Sequence, residues 1–248
     1  ISMDEDPLKA IRAKKEASII GCTELLKEKK VEAVFSAGST GATLISAITV
    51  LGKQKGVIRP AIASVLPTSD GSVILLDSGA SLDVKPKVLY QFAVMGSKLA
   101  EVLLDLDKPK VGLLNNGEEE SKGRDLEKSA YKLLSSSTLN FIGNVEGRDF
   151  ASEKVDVFVT DGFTGNVVLK TLEGTARLQQ KLISDSLKKN LFKPLLPIVK
   201  NAFEPVKDRL NPDKTNASYL LGVDGLVTIG HGSSKQEAIK NGIKYTNN

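Results

Sequence analysis

Five short stretches concentrate residues that can bind an anion or polarise a carbonyl. They are Ser36-Ala-Gly-Ser-Thr-Gly41, Asp77-Ser-Gly79, Asn115-Asn-Gly117, Asp161-Gly-Phe-Thr-Gly-Asn166 and His231-Gly-Ser-Ser234. Each follows a short apolar run. Glycine lets a backbone approach a ligand closely, and the N–H groups that open a helix carry partial positive charge. Several such ends gathered on one sheet edge describe a pocket for an anion or an activated acyl group. Taken singly, each stretch reads more readily as a tight turn with a helix cap.

Within these stretches a few residues stand out. Lys122 precedes Gly123 at an expected helix start, where the helix dipole disfavours a cation, so ligand duty would explain it. Asn166 can either cap the next helix or donate to a developing oxyanion. His231, the chain's one histidine, lies between glycines and suits an acid, a base or a phosphate contact. Ser39, Thr40, Gly41, Asn115, Asp161, Gly165 and Ser233 complete the candidate phosphate and substrate contacts. Glu118-Glu119-Glu120 reads as a solvated acidic turn, and Cys22, mid-helix, as a small buried apolar residue.

The composition excludes several chemistries. One cysteine and one histidine leave no internal disulfide, no multi-cysteine metal site and no HExxH pair. No GxGxxG follows a strand and no GxxxxGK[ST] loop is present, so neither a nicotinamide cofactor nor a phosphate-binding loop of that kind is supported. No cofactor and no metal are expected. A net charge of +4 from 34 basic and 30 acidic residues does not call for nucleic acid. No apolar run reaches the roughly 18 residues of a membrane-spanning helix, and the opening Ile1-Ser2-Met3-Asp4 is not a signal peptide.

The elements that must position these residues follow from the pattern. Helix is expected over 6–30, with Pro7 in its first turn and apolar residues at Leu8, Ile11, Ile19 and Leu25-Leu26. Strands are expected at 31–36, 61–66, 73–77, 110–114, 141–144, 155–160 and 225–229. Helices are expected after Gly41, over 86–104 and 123–135, after Asn166, and at the end of the chain. Strands alternating with helices predict a mainly parallel sheet covered on both faces, in a single α/β domain.

Residues 181–210 break this alternation. Pro194, Pro197 and Pro205 interrupt an apolar series that includes Leu191-Phe192, Leu195-Leu196 and Phe203. The segment carries seven Lys/Arg against three acids, an excess of +4 that equals the charge of the whole chain. It reads as a helical arm inserted in the domain. Apolar residues among lysines suit a membrane surface or an acidic partner protein, and a dimer-forming arm is the alternative.

These strings together resemble a known family. Asn115-Asn-Gly-Glu-Glu-Glu-Ser-Lys-Gly123, Phe141-Ile-Gly-Asn-Val-Glu146, Val159-Thr-Asp-Gly-Phe-Thr-Gly-Asn-Val167 and His231-Gly-Ser-Ser234 are similar to the acyl-carrier-protein:phosphate acyltransferases of bacterial phospholipid synthesis. So are Asp4-Glu-Asp-Pro7, Ser36-Ala-Gly-Ser-Thr-Gly-Ala42, Arg59-Pro-Ala61, Leu75-Leu-Asp-Ser-Gly-Ala80 and Met95-Gly-Ser97. The resemblance implies a three-layer α/β/α fold of the isocitrate/isopropylmalate dehydrogenase type, shared with phosphotransacetylases. It implies a homodimer, peripheral association with the cytoplasmic membrane, and an acyl phosphate product that feeds a membrane glycerol-3-phosphate acyltransferase. It assigns the essential site roles to Lys122 and Asn166. Two departures stand out. The family opens with a strand ending in Asp-Ala-Met-Gly-Gly-Asp, so its first strand–helix unit is expected to be absent here. Where the family usually has Tyr-Gly-Gly before the last strand, this chain has Lys214-Thr-Asn-Ala-Ser218.

On this reading, inorganic phosphate attacks an acyl carrier protein thioester. Phosphate already carries a nucleophilic oxygen, and the departing thiol has a pKa near ~8.5. The protein must chiefly place the reactants and supply oxyanion donors. Lys122 and the Ser39-Thr40-Gly41 turn would hold phosphate, Asn166 would donate to the carbonyl oxygen, and His231 or Ser233 would complete the anion site. Three alternatives stay open: a phosphotransacetylase acting on short-chain acyl-coenzyme A, a decarboxylating dehydrogenase of the same fold, and a non-catalytic membrane scaffold.

Overall fold

The computed structural model describes residues 1–69, 71–187, 217–232 and 234–246. Among them, eight strands form one sheet: β1 (Ala33–Ser36), β2 (Ala61–Pro67), β3 (Ser72–Leu76), β4 (Val111–Leu114), β5 (Phe141–Val145), β6 (Val157–Val159), β7 (Ser218–Leu221) and β8 (Leu226–Ile229), in the order β1-β8-β7-β2-β3-β6-β4-β5. The helices are α1 (Pro7–Ala13), α2 (Ser18–Lys27), α3 (Thr40–Val50), α4 (Pro86–Leu103), α5 (Asp125–Ser135), α6 (Gly162–Leu187) and α7 (Gln236–Thr246), with a 3₁₀ turn at Gly147–Ala151.

The central strands are buried residue after residue, and successive side chains pack against opposite faces, as a sheet covered on both sides requires. Ile74 and Leu76 of β3 face α4 and α5 together with Phe92, Leu113 and Val159. Val73 and Leu75 face the opposite way, packing with Phe158, Val145 and the α6 residues Val168 and Leu169. A third cluster seats α2 and α3 through Leu26, Ala47, Val34, Ile62 and Val227. The layers are therefore helix, sheet and helix, as expected. On one face α3 and α6 stand apart, and the central strands β2 and β7 lie between them.

The strand directions correct one expectation. β3, β6, β4 and β5 are mutually parallel and β1 is parallel to β8, but β2 and β7 introduce three antiparallel joints. β1 and β8 consequently run opposite to β3–β6. The five polar strand ends do not share one sheet edge. They meet, where they do, because the central antiparallel strands bring two oppositely directed halves together.

Two helix boundaries also differ. The expected 6–30 helix is two helices, capped separately by Asp6, whose carboxylate accepts from the Lys9 N–H at 2.8 Å, and by Ala17. The 123–135 helix begins at Asp125 with Arg124 as its cap, so Lys122 belongs to the preceding loop and not to a helix start. Cys22 is exposed on α2, against the expectation of burial. The 181–210 arm is described only through Leu187, as the last turns of α6. Leu191, Phe192, Leu195, Leu196, Phe203 and Ser233 lie outside the described residues.

Candidate active site

A cleft of about 770 Å³ opens over the central strands, between the N-terminus of α3 and the flank of α6. Thr40, Gly41, Asn166 and His231 all line it. The first N–H groups of a helix have no carbonyl one turn back to donate to. Ser39, the buried cap of α3, accepts only the Ala42 N–H, at 3.4 Å. The Thr40 and Gly41 N–H groups therefore sit at the cleft wall without an intrahelical partner, at a helix end of the kind that can take an anion.

The 161–166 signature builds the opposite wall. α6 begins inside it, at Gly162, so Gly162–Asn166 is the first turn of a helix and not a loop. The cap is Asp161, whose carboxylate accepts from the Thr164 N–H at 2.8 Å and from the Thr164 hydroxyl at 3.0 Å. The same buried carboxylate is paired with Arg124, which also grips Glu127. Burial pushes the Asp161 carboxyl up, but the Thr164 and Arg124 hydrogen bonds outweigh it and hold the group below the usual carboxylate range. Asp161 thus ties the α6 start to the 115–124 loop and stands behind the cleft wall.

Gly162 and Gly165 set how close that turn comes to the end of β3. A Cβ at Gly165 would lie 1.9 Å from the Asp77 carbonyl oxygen, and one at Gly162 would lie 2.7 Å from the Asp77 carboxylate. Both are backbone-contact positions and neither touches the cleft. Gly165→Ala should cost about 1–3 kcal/mol or more, because only a backbone shift relieves the clash. A thermal melt of the variant unchanged from that of the parent chain would show that this approach is not close.

Asp77 anchors the cleft floor. It is fully buried, and its carboxylate accepts N–H groups from Ile62 (2.9 Å), Gly79 (3.1 Å), Ala80 (3.0 Å) and Ser81 (2.7 Å). Burial raises its pKa against the pull of those four donors. The arrangement locks the 77–81 loop to β2 and presents Gly79 to Asn166, whose side chain lies 3.7 Å from where a Gly79 Cβ would stand. Because Asp161 does the capping, the Asn166 amide is not needed as a cap. Among the described residues it has no hydrogen-bond partner, and it is exposed to the cleft.

Further polar residues line the cleft. Ser64, Ser78 and Ser218 form a hydroxyl ladder across β7, β2 and the end of β3, at 2.7 and 2.9 Å. On α6, Lys170, Glu173 and Arg177 follow Asn166 on one face. Their spacing of four, seven and eleven residues was the signal available in sequence. Lys170 Nζ lies 3.0 and 3.1 Å from the Glu173 carboxylate oxygens and 2.8 Å from His231 Nε2. Burial pushes the Glu173 carboxyl up, but the hydrogen bonds from His231 and Lys170 prevail and hold it at about 2.

The remaining candidates lie on the other side of α6. A second cleft of about 570 Å³ is lined by Asn115, Asn116, Gly123, Arg124 and Thr164. The Asn115 side chain staples its own loop, accepting from the Asn116 N–H at 2.8 Å and donating to the Lys122 carbonyl at 3.2 Å. Lys122 is exposed and lines neither cleft. Among the described residues its ammonium has no partner, and no group of three or more His, Cys, Asp or Glu could hold a metal ion.

The fold is a three-layer α/β fold that is similar to those of phosphotransacylases of known structure. The structure superposes on the EutD phosphotransacetylase from Staphylococcus aureus with a TM-score of 0.61 at 14% identity, covering 97% of this chain and 73% of that one. A 4-hydroxythreonine-4-phosphate dehydrogenase structure from Salmonella typhimurium gives 0.51 at 13% identity, over 92% and 67%. Likenesses this remote in sequence establish the fold alone. The family is established by sequence. The family described as "Fatty acid synthesis protein" matches residues 1–248. The phosphate acyltransferase of Elusimicrobium minutum is 46% identical over 98% of this chain and 72% of its own length. The chain belongs to the phosphate acyltransferase family.

Proposed function

We propose that the chain transfers a long-chain fatty acyl group from an acyl carrier protein thioester to inorganic phosphate. The acyl phosphate would supply a membrane glycerol-3-phosphate acyltransferase. Family membership supports acyl transfer to phosphate. The observation that carries the site assignment is the uncommitted Asn166 amide in the same cleft as the open Thr40 and Gly41 N–H groups. Amide and helix end are what a thioester oxyanion and an incoming phosphate need. Met3, Leu44, Ile62, Leu169 and Ile229 give the cleft the apolar lining an acyl chain requires. His231 would close the anion site, and Lys122 would act from the 115–124 loop.

Association with a second copy is part of the proposal. Phe163, Val167, Leu178 and Leu182 of α6 are each more than half exposed, as a face covered in an assembly would be. Peripheral attachment to the cytoplasmic membrane and docking of the acidic carrier are assigned to the lysine-rich 181–210 segment. No helix among the described residues is long and apolar enough to cross a membrane.

Donor choice separates this reading from a short-chain phosphotransacetylase. The chain is expected to form acyl phosphate from long-chain acyl carrier protein with kcat/KM at least ~100-fold above that for acetyl-coenzyme A. A preference for acetyl-coenzyme A would move the assignment to the short-chain reaction, and turnover of neither would leave only the scaffold.

A further inference from the structure

Phosphate near neutral pH carries more than one negative charge. A helix end and one amide supply only partial positive charge against it. Among the described residues that line the cleft, the full cations are Lys170 and Arg177. Lys170 is one helical turn from Asn166, on the same face of α6. Lys122, the cation that the sequence resemblance singles out, lines neither this cleft nor its neighbour.

The Lys170 ammonium is held in place. Glu173, three residues on, takes it at 3.0 and 3.1 Å. His231 Nε2, on the loop after β8, lies 2.8 Å away, so the contact spans from α6 to the opposite half of the sheet. An ammonium has three N–H donors. Both Glu173 carboxylate oxygens and His231 Nε2 lie within hydrogen-bond reach of it. A ligand oxygen would share or replace one of these contacts from the cleft side, where the Lys170 side chain is 49% exposed. Glu173 is only 12% exposed. It therefore holds the ammonium from the protein side of the cleft.

We propose that Lys170 is the residue that holds the acceptor phosphate, with Glu173 and His231 fixing where its ammonium stands. The inference rests on the acyl-transfer reading above. It adds a substrate assignment within that site: Lys170 discriminates for phosphate and Asn166 acts on the carbonyl. Losing a charge-assisted hydrogen bond to a dianion weakens binding by about 10- to 100-fold.

The test is steady-state kinetics of the full chain with phosphate and acyl donor varied independently. Lys170→Met, which keeps the stem and removes the charge, is expected to raise KM for phosphate about 10- to 100-fold while KM for the acyl donor moves less than about threefold. Lys170→Arg should recover at least a third of the lost phosphate affinity, which a purely structural role would not produce. Unchanged phosphate KM in Lys170→Met overturns the inference, as does a rise in the acyl-donor KM alone. Should Lys170→Met melt early, the Arg variant decides: phosphate KM like that of the parent chain upholds the inference, and lost phosphate affinity in a folded Arg variant defeats it. If the parent chain forms no acyl phosphate, the transfer reading itself fails. Calorimetric titration with inorganic phosphate alone then tests Lys170 separately. Phosphate binding that is lost in Lys170→Met supports the inference, and equal binding or none in both proteins overturns it.

Discussion

Asn166→Ala is expected to lower kcat by about 10²- to 10³-fold, the usual cost of deleting one oxyanion donor, while leaving the melting temperature within about a degree of the parent chain. Both halves follow from one observation. The α6 cap is Asp161, so the amide at 166 carries no capping duty. It has no hydrogen-bond partner among the described residues and faces the cleft. Exposed side chains without partners contribute little stability. Were Asn166 a structural amide, the loss would appear in the melt and not in kcat. Asn166→Asp sharpens the measurement. It nearly preserves shape but replaces a donor with an acceptor, so it should be at least as inactive as the alanine variant.

Lys122→Ala is the second large effect. Turnover is expected to fall at least ~100-fold with the fold intact, in keeping with a charged group that acts in the transition state. The side chain is exposed and its ammonium has no partner among the described residues, so its removal leaves no buried charge behind. The loop that carries it is well tied. The Glu119 carbonyl accepts both the Lys122 N–H (3.0 Å) and the buried Asn144 amide (2.8 Å), while Arg124 joins the loop to Asp161 at the start of α6. Lys122 and Asn166 are therefore linked through one cap, although they stand on opposite sides of the helix. Circular dichroism and melts on the same preparation check the fold. Near-parental activity would remove Lys122 from the reaction and leave the chemistry to the residues of the larger cleft.

Much of this architecture was legible in the sequence. Short apolar runs ending in small residues marked seven of the eight strands and the Gly-rich turns that follow β1, β3 and β4. The mainly parallel sheet was legible from strands alternating with helices, but the antiparallel joints at β2 and β7 were not, because periodicity marks a strand without saying which way it runs beside its neighbours. One local sign existed. Asp70-Gly71 between two apolar runs is a hairpin signal, and β2 does pair antiparallel with β3. β7 went unread although β1, β4 and β8 are equally short. The 6–30 region looked continuous because Ile11 and Ile19 keep helical phase across the break at 14–17.

The site was legible by residue type more than by role. Thr40, Gly41, Asn166 and His231 line one cleft. Asp161 and Gly165, expected to touch substrate, instead set the cap and the close approach that aim Asn166. That distinction needs coordinates, since a glycine reserved for backbone contact and one reserved for a ligand look alike in sequence. Lys170 and Glu173 were hidden because a lysine and a glutamate three residues apart on a helix normally form a solvated surface pair. What changes their meaning is His231, brought alongside from 61 residues away.

The most direct test of the account is a single-turnover reaction of the chain with long-chain acyl carrier protein and radiolabelled phosphate, run beside Asn166→Ala. Label is expected in acyl phosphate within one turnover of the parent chain, with about 10²- to 10³-fold slower labelling in the variant. Equal labelling rates in the two proteins, or label that never leaves inorganic phosphate in the parent chain, would contradict it.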